Sequence, residues 1–240
     1  MNVIEIFASI DGEGKRQGCL TTFLRLHDCN IRCSYCDTLY SYGPQSTFES
    51  MSIQAVADII EQLGNHRITI TGGEPLLQEQ AVIELIDELT KRNPQYDFNI
   101  ETNGTIVPSF QRENVWFTYD YKTPSSLAED SMNLDIFKMA TAEDIIKFVV
   151  GSVQDLDRMD EVLKTYPTNG QIFVSPVWGN IEGAMIVDYM KAHNWQNVKF
   201  QLQIHKFIWD PGAKGVSHGH KSNRISSVST TRSIRGKSKP

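Results

Sequence analysis

Short apolar runs alternate along the chain with longer stretches in which apolar residues recur every three or four positions. Runs at 22–26, 66–70, 97–100, 115–119, 144–150, 171–174 and 197–202 predict β-strands. Between them, Ile53, Val56, Ile60 and Leu63 share one helical face, with Ser52 placed to cap its start and Gly64 its end. A second helix carries Val82, Ile86 and Leu89 on one face and stops before Asn93-Pro94. Further helices run through Leu156, Met159 and Leu163, and from about 181 to 193. Strands alternating with helices predict an α/β fold with a parallel sheet. There are fewer than eight such units. The expected architecture is therefore an incomplete, open (β/α) barrel of about six parallel strands with helices outside.

Ligands of parallel α/β folds collect at the carboxyl ends of the strands. The residues just after the predicted strands are 29–38, Thr71-Gly72-Gly73-Glu74-Pro75, Glu101-Thr102-Asn103-Gly104, Asp120-Tyr121-Lys122, Gly151 and Ser175-Pro176. Nearly all are polar or glycine, so they predict one functional rim.

Length and charge refine this picture. The 240 residues suffice for one domain with a sizeable core. No run of about 18 apolar residues occurs, so no membrane partner is expected. The first residues lack the basic and apolar regions of a signal peptide, and a cytoplasmic location is expected. The net charge of −6 hides an asymmetry: residues 217–240 carry six Lys/Arg and no acid. The other 216 residues hold 17 basic and 29 acidic side chains, a balance of −12. An acidic body argues against direct nucleic-acid binding, which needs clustered positive charge. The expected organisation is one domain over 1–216 and a basic, disordered tail over 217–240 without a catalytic role.

The candidate chemistry lies in Cys29-Asn-Ile-Arg-Cys33-Ser-Tyr-Cys36-Asp37-Thr38. Three thiols spaced by three and then two residues can be aimed at one point, as a soft ligand set for zinc or an iron–sulfur cluster. A structural zinc site is normally closed by four ligands. Here there is no second Cys-x-x-Cys pair; Cys19 lies ten residues upstream, and His27 falls in an apolar run. Three thiolates on a four-iron cluster leave one iron open. Clustered cysteines also argue for a ligand site in a reducing compartment rather than a disulfide framework.

The three-then-two spacing, with Tyr35 before Cys36, resembles the radical S-adenosylmethionine enzymes. The resemblance implies that the open iron of a 4Fe–4S cluster on Cys29, Cys33 and Cys36 chelates S-adenosylmethionine, which is cleaved to a 5′-deoxyadenosyl radical. Gly72-Gly73-Glu74-Pro75 is similar to the family's glycine-glycine-glutamate-proline element at the cofactor's amino end, and Glu101-Thr102-Asn103-Gly104 to another cofactor element. Ile10-Asp11-Gly12-Glu13-Gly14, Arg25, Asp37-Thr38, Asp120-Tyr121-Lys122 and Gln203-Ile-His205-Lys206 resemble one branch, the 7-carboxy-7-deazaguanine synthases of queuosine-type base biosynthesis. The resemblance spans residues 3–216. It departs at Asp11, where many members carry glutamine, and at the chain end, where some members use their own C-terminus on the substrate.

The branch implies conversion of 6-carboxy-5,6,7,8-tetrahydropterin to 7-carboxy-7-deazaguanine with loss of ammonia. It further implies Mg²⁺ held through Thr38, a homodimer, and a low-potential electron donor such as a flavodoxin. The implied substrate contacts are Ile10, Asp11, Gly12, Glu13, Arg25 and Thr71. The implied cofactor contacts are Tyr35, Asp37, Gly73, Glu74, Glu101, Asp120, Tyr121, Lys122 and Ser175. No catalytic acid or base is identified, and His205 is unassigned. The competing readings are another small radical enzyme, such as an activator of a glycyl-radical protein, and a non-catalytic zinc-binding adaptor.

Overall fold

A computed structural model describes residues 1–210. The basic segment 217–240 lies outside the described residues. The strands are β1 (Asn2–Ile10), β2 (Leu20–Leu26), β3 (Glu49–Ser50), β4 (Arg67–Gly72), β5 (Asp97–Thr102), β6 (Val115–Tyr121), β7 (Ile145–Val150), β8 (Gln171–Pro176) and β9 (Val198–Phe200). The helices are α1 (Ile53–Leu63), α2 (Glu79–Arg92), α3 (Asp135–Met139), α4 (Val153–Thr165), α5 (Gly183–Ala192) and α6 (His205–Ile208). One sheet runs β3-β1-β2-β4-β5-β6-β7-β8-β9. β2 and β4 to β9 are parallel, while β1 lies antiparallel to both β2 and β3. Its two edges, β3 and β9, do not pair, so the barrel is open.

Period-2 alternation divides the sheet into two faces. Leu24, Leu26, Ile68, Ile70, Phe98, Ile100, Ile146, Phe148, Ile172 and Val174 belong to a buried apolar core. The same core takes Val56, Ala57 and Ile60 of α1, Val82, Leu85, Ile86 and Leu89 of α2, and Leu156, Met159 and Val162 of α4. Each such side chain contributes about 1.5–3 kcal/mol on burial, so this face fixes the helices on the outside. The intervening positions are mostly polar. Parallel register places them in neighbouring pairs: Arg25 beside Thr71, Thr69 beside Asn99, Glu101 beside Thr118, and Asp120 beside Lys147. This polar face lines the barrel interior.

The open side is closed by loops rather than strands. The β1–β2 loop reaches the segment after β9: Gly14 N–H donates to Gln201 Oε1 at 2.7 Å, and Gln201 Nε2 donates back to Gly14 O at 2.9 Å. Ile204 N–H donates to Gly12 O at 3.0 Å. Below, Arg16 plugs the interior, donating to Asp11 (3.0 Å), Asp97 (2.6 Å), Ile68 O (2.9 Å) and Thr69 (2.9 Å).

The caps of α1 follow the sequence pattern: Ser52 Oγ accepts from Ala55 N–H at 3.2 Å, and Gly64 has φ +75°. The seven parallel strands correspond to the seven apolar runs. Two expectations are corrected. β1 is a nine-residue strand absent from the apolar-run reading, because Asn2, Glu5 and Ser9 interrupt any such run and most of its residues are only half-buried. β9 spans three residues rather than 197–202, because beyond Phe200 the chain turns toward the β1–β2 loop.

Candidate active site

A cavity of about 320 Å³ occupies the barrel interior. Its size falls within the usual range for small-molecule sites. One end is formed by the cysteine loop. This loop is anchored to the chain after β6: Ser34 N–H donates to Ser126 O at 2.9 Å, Ser34 Oγ to Ser125 O at 2.5 Å, and Tyr35 OH to Val149 O at 3.3 Å. Asp155, at the start of α4, holds that anchor by accepting from Ser125 and Gly151 N–H at 2.9 and 2.6 Å.

Cys33 and Cys36 line the cavity, and Cys29 lies beside them, within electrostatic reach of Cys36. Burial pushes the Cys29 thiol up and the Cys33 thiol up to about 11. Ligation requires thiolates, so metal binding here releases protons. Among the described residues, no three His, Cys, Asp or Glu side chains converge closely enough to hold a single metal ion. The three-thiol loop by itself does not supply the four ligands that close a structural zinc site. It suits a cluster, in which each thiolate takes a different iron. Asn103 Nδ2 lies 3.7 Å from Cys29 Sγ, an amide donor of the kind that tunes cluster sulfurs. The cysteines therefore fit a 4Fe–4S cluster.

The glycine pair after β4 works by close approach. A side chain at Gly73 would collide with the Asp28 carbonyl and Cys29 Cβ. Glycine thus lets this loop pack directly on the cysteine loop. Glu74 is fully buried and takes no part in the cavity wall. Its carboxylate accepts from Leu76 N–H (2.9 Å), Thr102 Oγ1 (2.9 Å) and Asn103 N–H (2.7 Å). It ties two rim loops together, which differs from the cofactor contact implied by its position.

Arg25 lines the same cavity, its Nε donating to Glu5 at 2.8 Å. Glu5 also accepts from Tyr40 OH at 2.7 Å. Among the described residues this bond engages Nε of the guanidinium and leaves Nη1 and Nη2 without a hydrogen-bond partner. Ile10, Gly12, Glu13, Thr38 and Thr71 line the same space, as do Tyr35, Asp37, Gly73, Glu101 and Asp120. Asp37 is exposed and pairs with Lys206 at 3.7 Å. Thr38 Oγ1 lies 3.6 Å from Cys36 Sγ.

Four other residues expected to contact ligand lie off the cavity wall. Asp11 is buried below the cavity, held by Arg16 and by Thr69 Oγ1 at 2.9 Å. Tyr121 points to the helix face among Phe137 and Phe148, because it is one residue out of phase with Asp120. Ser175 is fully buried, and its Oγ has no hydrogen-bond partner among the described residues. Lys122 stands behind the wall and pairs with Asp120 at 3.0 Å.

The wall is electrostatically dense. Burial alone would raise the Asp120 carboxyl, but Lys122 and then Lys147 outweigh it and hold it below the usual carboxylate range. Its Oδ1 is buried with no partner among the described residues, leaving an acceptor for a ligand. Burial pushes Glu101 up to about 7, with Lys147 opposing and Glu13 and Asp11 adding to the rise. A carboxyl poised there can exchange a proton at neutral pH. Burial also lowers His205, whose ring covers Gly12.

Sequence reading missed Lys147 and Thr118 and gave Gln203 and Lys206 of the Gln203–Lys206 motif no role, though all four are on the cavity wall. The available signal was strand phase: Lys147 is the single charge in Ile-Ile-Lys-Phe-Val-Val, and Thr118 shares the phase of Asp120.

Residues 25–164 match the Radical SAM superfamily. The chain is 37% identical over 219 residues to the 7-carboxy-7-deazaguanine synthase of Clostridium acetobutylicum, covering 89% of this chain and 98% of that protein. It is 38% identical over 211 residues to the same-named protein of Methanospirillum hungatei, covering 88% and 86% respectively. The crystal structure of QueE from Escherichia coli superposes with a TM-score of 0.62 at 24% identity, covering 83% of this chain and 93% of that one, which supports the fold.

Proposed function

The chain belongs to the 7-carboxy-7-deazaguanine synthase family of radical S-adenosylmethionine enzymes, and from that premise we propose that it converts 6-carboxy-5,6,7,8-tetrahydropterin to 7-carboxy-7-deazaguanine with release of ammonia. Membership implies a 4Fe–4S cluster and S-adenosylmethionine. When bound, these would supply the hydrogen-abstracting radical chemistry that the ring contraction needs.

The observation that carries the reading is one cavity whose wall holds Cys33 and Cys36 together with Arg25 and Glu13. Cys29, Cys33 and Cys36 would hold the cluster. Arg25 presents its free guanidinium edge to the substrate carboxylate, a planar donor pair matched to that group. Glu13 accepts from the amino-pyrimidine edge, beside the Gly12 backbone and Ile10. Thr71 faces the substrate. Tyr35, Asp37, Gly73, Glu101 and Asp120 face the cofactor, and the unpartnered Asp120 Oδ1 supports that side as polar and ligand-facing. Lys122 and Ser175 support it from behind. Glu74, Asp11 and Tyr121 act by holding the rim, the floor and the outer face.

Thr38 offers one hydroxyl to Mg²⁺, which takes few protein ligands and draws the rest from substrate and water. A homodimer in a reducing cytoplasm, reduced by a flavodoxin-like donor, completes the proposal. No helix of the described residues is long and apolar enough to cross a membrane.

The test is anaerobic incubation of reconstituted protein with the carboxypterin, S-adenosylmethionine, Mg²⁺ and reductant. The deazapurine and ammonia are the expected products. Cofactor cleavage to 5′-deoxyadenosine without deazapurine would assign a different radical reaction.

A further inference from the structure

Lys147 is the one charge in a strand whose other five residues are apolar, and its side chain is 6% exposed. Burying an ammonium is heavily penalised unless it is paired. Here the pairing is specific: Nζ lies 2.5 Å from Glu13 Oε1 and 3.6 Å from Asp120 Oδ2. Glu13 comes from the β1–β2 loop and Asp120 from β6, so one cation joins two walls of the cavity. The other oxygen of Glu13 accepts from Gln203 Nε2 at 3.2 Å. Glu13 is therefore held from both sides. The other charged or titratable groups around Lys147 are Glu101 on β5, Lys122 after β6 and His205 on α6.

We propose that Lys147 is a positioning residue for substrate recognition: its ammonium fixes the Glu13 carboxylate in the orientation that reads the amino-pyrimidine edge and couples it to the cofactor wall at Asp120. The inference rests on the functional reading above. A neutral side chain at 147 leaves the half-buried Glu13 near Glu101 with no opposing charge at its Oε1. Glu13 then turns away or is held wrongly, and the pterin loses its acceptor. A lysine that merely stapled the loop to β7 would affect folding and every ligand alike. One that acts through Glu13 has no further effect once Glu13 is neutral.

A double-mutant cycle separates these cases. The cluster-loaded protein with S-adenosylmethionine is titrated anaerobically with fluorescent 6-carboxypterin. The set is wild type, Lys147→Met, Lys147→Arg, Glu13→Gln and the Lys147→Met/Glu13→Gln double variant. Lys147→Met and Glu13→Gln are each expected to weaken binding about tenfold, as loss of a charge-assisted contact does. The double variant should lie within about threefold of Glu13→Gln, and Lys147→Arg within about threefold of wild type. Additive losses, or a Lys147→Met protein that binds like wild type, overturn the role of Lys147. If Lys147→Met does not fold, Lys147→Gln takes its place under the same criteria. A wild-type protein that fails to bind the pterin overturns the functional reading and this inference with it, an outcome distinct from binding with additive losses.

Discussion

The carboxylate of Glu74 accepts the backbone N–H of Asn103 at 2.7 Å, and the Asn103 side chain in turn reaches Cys29 Sγ at 3.7 Å. A fully buried acid on the glycine-rich loop thus positions the amide that faces the cluster cysteines. Among the described residues its three donors, on Leu76, Thr102 and Asn103, have their acceptor only in Glu74. Glu74→Ala strands these donors, and each stranded group costs about 1–3 kcal/mol. We expect destabilisation of about 3 kcal/mol or more in denaturant unfolding, with reduced iron loading. Unchanged stability with lost S-adenosylmethionine binding would instead make Glu74 a direct cofactor ligand.

Glu101 makes stability depend on pH. Its folded-state carboxyl, pushed up by burial to about 7, stands above the ordinary value of 4.5. Between those values the folded protein binds a proton that the unfolded chain does not. This contribution is present at low pH and is lost as pH rises from about 4.5 through 7, at up to about 1.4 kcal/mol per pH unit. Glu101→Gln removes the effect. The stability of Glu101→Gln relative to wild type should increase from pH 5 to pH 8 in parallel denaturant titrations. A pH-independent difference would show that the carboxyl titrates normally.

The cysteines divide three to one. Cys29→Ala, Cys33→Ala and Cys36→Ala should each abolish cleavage of S-adenosylmethionine and lower bound iron while the fold survives, read by absorbance near 400 nm (a wavelength typical of such clusters, ~400 nm) and circular dichroism. Cys19 lies at the far end of the β1–β2 loop, where its backbone pairs with Asp11 and Arg16. Cys19→Ala should keep its iron. Iron lost there but retained in one of the other three would reassign the ligands.

Arg25→Ala removes the guanidinium edge proposed to hold the substrate carboxylate. Pterin binding should weaken by about 1.5–3 kcal/mol, the worth of a charged hydrogen bond, with S-adenosylmethionine binding nearly unchanged. Equal losses for both ligands in calorimetry would place Arg25 in the scaffold through its bond to Glu5.

Much of this site was legible one residue at a time. Cys29, Cys33 and Cys36 announce a thiolate site by spacing alone, and the glycines at 72 and 73 announce close approach. The parallel strands from β2 onward follow from apolar runs bounded by polar rims. β1 was not legible, because a strand whose residues are mostly half-buried has no clean alternation. Glu74 and Glu101 read alike as rim carboxylates. They differ only in what surrounds them: Glu74 is consumed by three protein donors, while Glu101 faces the cavity.

The chain's local pattern determined its fold class, its outer helices and its three-thiol loop, because periodicity, capping and ligand spacing act over a few residues. Tertiary structure alone decided which polar groups share the interior. Glu13 and Lys147 stand 134 positions apart and meet at 2.5 Å, and Asp120 enters the cavity while Tyr121 leaves it. Strand phase and parallel register set those meetings, and both depend on which strands become neighbours.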